Sequence, residues 1–282
     1  SRRCGSVLTY WLHFESGEEN RMKGVQCMNF LRSLQLELQK TKRTKTVILF
    51  IVTAIFMVFM TGMNLNTTIS TYRDKIMENV YFQDSLAWNL FLPFLMIIVA
   101  TMMKGVESKN NGFVKMLSLP YNPWMMNAAK LCVLFSYMAL ASIVYLIIHN
   151  VGMMAALKAI KRELSVPVVY DMKLVFMVFT LNIAAVTVIW MISQLLSSPV
   201  LSAGLSLFFV VPGVLVANTE AWIGYPFAYS IHGLIGELKY LHGGGGTGAE
   251  SKDFLTCILA SLITVILAYV ISSRLIGKNE IK

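Results

Sequence analysis

The residues able to do chemistry are few and far apart. Four histidines, His13, His149, His232 and His242, are isolated from one another and from any HExxH spacing, so neither a zinc centre nor a membrane metalloprotease is indicated. Of the four cysteines, Cys132 and Cys257 lie in apolar runs where a thiol behaves as a small hydrophobe, and Cys4 and Cys27 lie near the N-terminus; the set forms no disulfide framework and no redox motif. The glycine run 243–246, followed by Thr247 and Gly248, invites a phosphate-loop reading. Such a loop needs Lys and then Ser or Thr directly after its last glycine, to hold phosphate and magnesium, but Ala249 and Glu250 follow, so a flexible linker fits better. No nucleophile is accompanied by a base. No cofactor, metal or catalytic residue is expected in this chain.

The elements that carry these residues are set by hydropathy. Apolar residues make up 56% of 282 positions and the mean hydropathy is +0.63, more apolar surface than a soluble domain of this size could bury, so the chain reads as an all-α integral membrane protein. A formal charge of +9 could suit nucleic acid, yet a basic chain with long apolar runs more simply carries Lys and Arg on the cytoplasmic side of a bilayer. The expected partner is therefore lipid and not nucleic acid.

Residues 1–27 mix Arg2 and Arg3, a short apolar patch and an acidic run, and read as a disordered or non-native leader. Over 28–46, Leu31, Leu34 and Leu38 recur at helical spacing before the cluster Lys40, Lys42, Arg43 and Lys45, which predicts an amphipathic helix lying on the inner surface. Spans are expected at 47–63, 88–103, 131–148, 174–196, 200–217 and 255–273, within a transmembrane domain of 47–273. Residues 64–87 then form an outer loop. Met153, Leu157, Ile160 and Leu164 lie opposite Lys158, Lys161 and Arg162, which predicts a second surface helix. The tail 274–282 is basic, and with both termini inside, the inner segments hold the excess of Lys and Arg.

With these boundaries no span holds Asp, Glu, Lys or Arg between its ends, which argues against a proton- or sodium-coupled transporter. Asn182, Thr187, Gln194 and Ser206 read as interhelical glue. Energy must then come from a partner. The largest inner surface is the loop 104–130, where 107–119 can form a short helix with Phe113, Met116 and Leu117 on one side and Lys109, Asn110 and Lys115 on the other, stopped by Pro120 and Pro123. An ordinary topological connection is the bland alternative. Within the outer segment 218–254, residues 221–236 are aromatic, short and broken by Gly224, Pro226 and Gly233. They could be a seventh span, but a re-entrant helical pair between spans five and six keeps the basic tail inside. Glu220 and Glu237 bound it, and with Trp222, Tyr225 and Tyr229 they could face a cationic amphipathic ligand or merely anchor the protein at the interface.

Glu107 just after a span, Gly112, Lys115, Leu117 to Pro120, and Ala129 with Lys130 before the next span resemble the permease subunits of ABC-2 type exporters. Within that class the length, the ELQKTKRTK stretch before span one and the absence of a large outer domain are most similar to permeases of lantibiotic self-protection, the mutacin and epidermin type. The resemblance implies a bacterial plasma membrane, a separate ABC ATPase that binds ATP and Mg, a second permease in a homo- or heterodimer, and export of an antimicrobial peptide. Glu107, Lys109, Asn110, Phe113, Lys115, Met116 and Leu117 would be its ATPase-coupling residues. Related permeases serve drugs, sodium or polysaccharide, and a polytopic scaffold or sensor that moves nothing would also lack intramembrane charge.

Overall fold

The computed structural model describes residues 30–41, 46–71, 75–109, 123–196, 198–241 and 249–279. The regular elements among them are helical: α1 (Phe30–Thr41), α2 (Thr46–Thr71), α3 (Ile76–Lys109), α4 (Pro123–Ala159), α5 (Val168–Leu195), α6 (Pro199–Val210), the single turn α7 (Gly213–Val216), a 3-10 turn (Glu220–Gly224), α8 (Tyr229–Leu241) and α9 (Ala249–Asn279). Among the described residues, six stretches are long and apolar enough to cross a membrane: Thr46–Thr71, Ile76–Val106, Trp124–Ala159, Val168–Leu195, Pro199–Val216 and Phe254–Ile276. The all-helical, six-span expectation holds. Helices are the open-chain solution in hydrocarbon, because each backbone N–H must find its acceptor within the segment. The expected leader 1–27 and the glycine run 243–246 lie outside the described residues.

Burial sorts the spans. The most apolar stretch of Val168–Leu195 is 67% buried and that of Phe254–Ile276 only 17%, so α5 is the central post and α9 lies at the rim. Large apolar side chains on the outward faces, such as Phe176, Phe208 and Ile266, are exposed as a lipid-facing surface requires. We call the end of the bundle next to residues 110–122 the loop end and the opposite end the far end.

Several expected boundaries move, each for a physical reason. Residues 64–87 are not a loop: α2 runs on to Thr71 and α3 begins at Ile76. Thr68 and Thr71 bond back to the carbonyls of Asn64 and Thr67, so polar residues there continue the helix. Of the polar residues of 76–87, Asn79, Asp84 and Ser85 are buried, whereas Gln83 is exposed. The expected surface helix at 153–164 is instead the last turns of α4, with Met153 and Leu157 in the core. It stops where Lys161 adopts φ 55 and the N–H groups of Arg162 and Lys161 return to Leu157 and Lys158, a Schellman-type ending. Pro123 opens α4, at the position where a missing N–H is harmless, and the expected end of a 107–119 helix lies outside the described residues.

In α1 the buried face carries Ser33 and Glu37, with Leu34 packed on the core, whereas Leu36 and Leu38 are exposed. Of the expected Leu31, Leu34 and Leu38 stripe, Leu34 packs on the core and Leu38 is exposed. The side chain of Leu31 lies outside the described residues. Ser198 caps α6 ahead of Pro199, accepting from Leu201 N at 3.5 Å.

Beyond α7 the chain folds back alongside α6. The Tyr225 hydroxyl donates to Phe209 O at 2.5 Å, and His232 Nδ1 lies 2.9 Å from Ala217 O. A Cβ added at Gly213 would stand 2.8 Å from Phe227 O, so glycine is required where this segment crosses span five. Neither the 3-10 turn nor the 13-residue α8, roughly 20 Å long at 1.5 Å per residue, is long enough to cross a bilayer.

Candidate functional site

Of the residues expected to couple to an ATPase, Asn110, Phe113, Lys115, Met116 and Leu117 lie outside the described residues. Glu107 and Lys109 end α3, and their side chains are likewise outside. What is described is the mounting of that loop. Lys104 Nζ donates to the carbonyls of Ser193 and Leu196, at the C-terminus of α5. Free carbonyls and the negative end of the helix dipole make a lysine favourable there. On the other side of the loop, Asn127 Oδ1 accepts from Trp190 Nε1 at 2.7 Å, and Asn127 Nδ2 donates to Ser272 Oγ at 2.7 Å and Ser273 Oγ at 2.8 Å. The two helices bracketing the loop are thus fastened to α5 and α9.

The aromatic set of 220–237 is largely turned inward. Trp222 and Tyr229 are buried; Trp222 stacks on His232 with centroids 4.0 Å apart, and the Tyr229 hydroxyl donates to Ile223 O at 2.7 Å. Tyr225 is half-buried, and burial pushes its phenol up from the ordinary value, so it stays a neutral donor to Phe209. Glu237 Oε1 pairs with Lys173 Nζ at 2.6 Å. Glu220 is exposed, and Tyr225 and Glu237 are partly so.

The cluster that sequence reading missed lies among spans one to four. His149 Nε2 is 2.9 Å from Asp84 Oδ2, and His149 Nδ1 is 3.3 Å from Asp171 Oδ2. Thr61 donates to Asp84 Oδ1 at 2.6 Å, Asn150 Nδ2 donates to Asp171 Oδ2 at 2.5 Å, and the Tyr81 hydroxyl lies 3.3 Å from Asn150 Oδ1. Aromatic rings wall the imidazole: Tyr145 stacks on it at 5.0 Å, Trp88 stacks on Tyr145 at 4.2 Å, and Tyr81 meets it edge-on at 4.7 Å. The expectation that no span carries an ionisable residue is therefore wrong. Asp84, Lys104, Lys130, His149 and Asp171 all lie inside the long helices, and Lys130 and Asp171 are wholly buried. These residues no longer leave the spans without ionisable groups, the ground on which a proton- or sodium-coupled transporter was disfavoured.

A periodic signal was available. Tyr81, Asp84, Ser85, Trp88 and Leu92 recur at three- and four-residue spacing, one helical face that is buried throughout. Placing 64–87 in a loop hid it. Below the cluster, Asn182 Nδ2 donates to Asn89 Oδ1 at 2.7 Å, the interhelical glue expected of Asn182. Among the described residues no group of three His, Cys, Asp or Glu has a geometry that could hold a metal ion.

A groove of about 250 Å³ runs along the cluster between α2 and α3, with Met57, Met60 and Phe91 as apolar walls and Thr61, Gln83 and Asp84 as polar lining.

Compared with known proteins, the chain matches a family model described as ABC-2 family transporter protein over residues 33–213, more than half of its length and including the first five spans up to Gly213. No curated protein and no solved structure matches it. With six helices able to cross a bilayer and that match from α1 to the start of α7, the chain belongs to the ABC-2 transporter family, a multi-pass membrane component of ABC transport.

Proposed function

We propose that the chain is the permease subunit of an ATP-driven exporter that expels a lantibiotic or a similar cationic antimicrobial peptide from the membrane. The carrying observation is the family match, which spans the central loop and the helices on both sides of it. ABC-2 permeases work with an ABC ATPase, and here that partner would be a separate chain binding ATP and Mg. Glu107, Lys109, Asn110, Phe113, Lys115, Met116 and Leu117 would meet it, with Phe113, Met116 and Leu117 as apolar anchors in a groove of the ATPase. The loop end is then the cytoplasmic end in a bacterial plasma membrane. A second permease, the same chain or a similar one, completes the membrane domain. The peptide substrate rests on the resemblance of the opening stretch and on the acidic and aromatic far end, where Glu220 lies exposed.

The test is co-expression with a stand-alone ABC ATPase carrying an affinity tag. The chain co-purifies and stimulates hydrolysis, and cells gain resistance to an added lanthionine-containing cationic peptide. Phe113→Ala with Met116→Ala leaves the chain inserted but removes stimulation and resistance, since truncating interface anchors typically costs ~1–4 kcal/mol each. Full stimulation by the double variant would reduce the loop to a connection. Stimulation without resistance would retain the exporter and reject the peptide.

A further inference from the structure

We propose that Asp84, His149 and Asp171 form a proton-binding site that exchanges with the groove between spans one and two through Asp84. The proposal goes beyond export and does not depend on what is exported.

Both ring nitrogens of His149 face carboxylate oxygens. A neutral imidazole has one N–H and one lone pair, so either the ring is an imidazolium between two carboxylates, or it is neutral and one carboxyl carries the proton. Both descriptions hold the same number of protons and leave the cluster with one net negative charge. The groups facing it are Thr61 from α2, Tyr81 from α3, Tyr145 and Asn150 from α4, and none of these is a cation. Toward the far end follow Lys75 just before α3, Glu78 of span two, Tyr170, and Lys173 of α5 paired with Glu237 of α8. An unbalanced charge with so little water around it is neutralised most readily by taking up a proton.

Two further observations mark the cluster as more than a closed brace. Asp171 Oδ1 and the Tyr145 hydroxyl are buried and have no hydrogen-bond partner among the described residues, so the cluster keeps unused acceptor and donor capacity beside the imidazole. Access is also one-sided: the Asp84 side chain is 12% exposed and lines the groove, against 1% for His149 and 0% for Asp171.

A hydronium in the groove passes its proton to a carboxylate oxygen of Asp84 and leaves as water. The new O–H turns to Thr61 Oγ, and the Thr61 hydroxyl then donates only to Met57 O, 3.1 Å away. Spans one and two stay bridged, while the Asp84 oxygen that faces His149 of span three changes from a charged to a neutral acceptor.

Infrared difference spectra of the full chain in lipid nanodiscs, recorded between neutral and mildly acidic buffer, test this. Acidification produces the carbonyl stretch of a newly protonated buried carboxyl; Asp84→Asn removes that band, and Asp171→Asn moves its midpoint by about one pH unit or more, a tenfold change in proton affinity. Thr61→Val keeps every ionisable group and the fold, retains the band and shifts its midpoint. A brace with a fixed proton count moves none of these. Spectra in which the band is absent, or is identical in the wild type and all three variants, overturn the proposal.

Discussion

The indole N–H of Trp190 in span four is held 2.7 Å from the amide oxygen of Asn127 in span three. Both residues are buried near the loop end, and Asn127 spends its two amide hydrogens on Ser272 and Ser273 of span six. One side chain therefore joins three spans directly behind the central loop.

Replacing Asn127 tests how much that junction matters. Interhelical hydrogen bonds in membranes average only ~0.6 kcal/mol, but Asn127→Leu also leaves the Trp190 N–H buried and unpaired, which costs about 1–3 kcal/mol. Asn127→Leu should lower the apparent melting temperature in detergent. Adding Trp190→Phe should recover part of the loss, because it removes the orphaned donor. A double variant less stable than Asn127→Leu alone would show that the indole is held by packing instead.

Two glycines give a matched pair. A Cβ at Gly213 would lie 2.8 Å from the backbone oxygen of Phe227, whereas one at Gly204 in α6 meets nothing within 4 Å. Gly213→Ala should destabilise by ~1–3 kcal/mol through overpacking, and should loosen the fold-back of 220–228. Gly204→Ala should be neutral or stabilise by about 0.5–1 kcal/mol, as expected for Gly to Ala inside a helix. Thermal unfolding of both variants checks the contrast.

The spans were legible because a bilayer demands long apolar runs, and all six are where hydropathy puts them. The turns beyond those runs were not. In α3, Asn79, Asp84 and Ser85 read as loop residues because hydropathy counts them polar, yet each is buried against neighbours that arrive from other helices. Asp171 likewise stands near the start of α5, where an acid usually marks an interface. Its imidazole partner comes from the preceding span, through a contact that no local pattern announces. Trp222 was legible as an aromatic but not as a buried one, since its partner His232 stands across the turn at 225–228.

The far end separates two roles of the aromatic segment. Trp222→Ala would excavate a stacked, buried ring and disturb folding, so it cannot isolate substrate contact. Glu220→Gln should instead lower resistance to a cationic peptide, more at low than at high ionic strength, because a surface charge acts through steering. Tyr225→Phe removes only the bond to Phe209 O and should leave resistance close to wild type unless that hydroxyl also meets peptide. Resistance unaffected by Glu220→Gln at every salt concentration would assign the segment to anchoring.

Topology follows from parity. Six crossings would leave α1 and the end of α9 on one side, and the proposed orientation puts that side, with the basic clusters around Lys42 and Arg274, in the cytoplasm. A reporter fused after Lys282 should be active inside the cell. Activity outside would require that 221–236 crosses the membrane.

Lys104 is the residue that should decide whether motion at the loop reaches the centre of the bundle. It sits on α3 just before the loop, but its ammonium group bonds to the last carbonyls of α5, the most buried span. A partner pushing on 104–130 would thus move α5 as well as α3 and α4. Lys104→Met removes the charge and its bonds to those carbonyls while keeping an apolar stem, and these contacts to a helix end lie outside the proposed ATPase-coupling set. Lys104→Met should therefore bind the ATPase normally yet lower stimulated hydrolysis and resistance. Lys104→Arg, which restores a charged donor at the same helix terminus, should recover much of both. Unchanged stimulation and resistance in Lys104→Met would mean that force passes through the backbone of α3 and α4 alone.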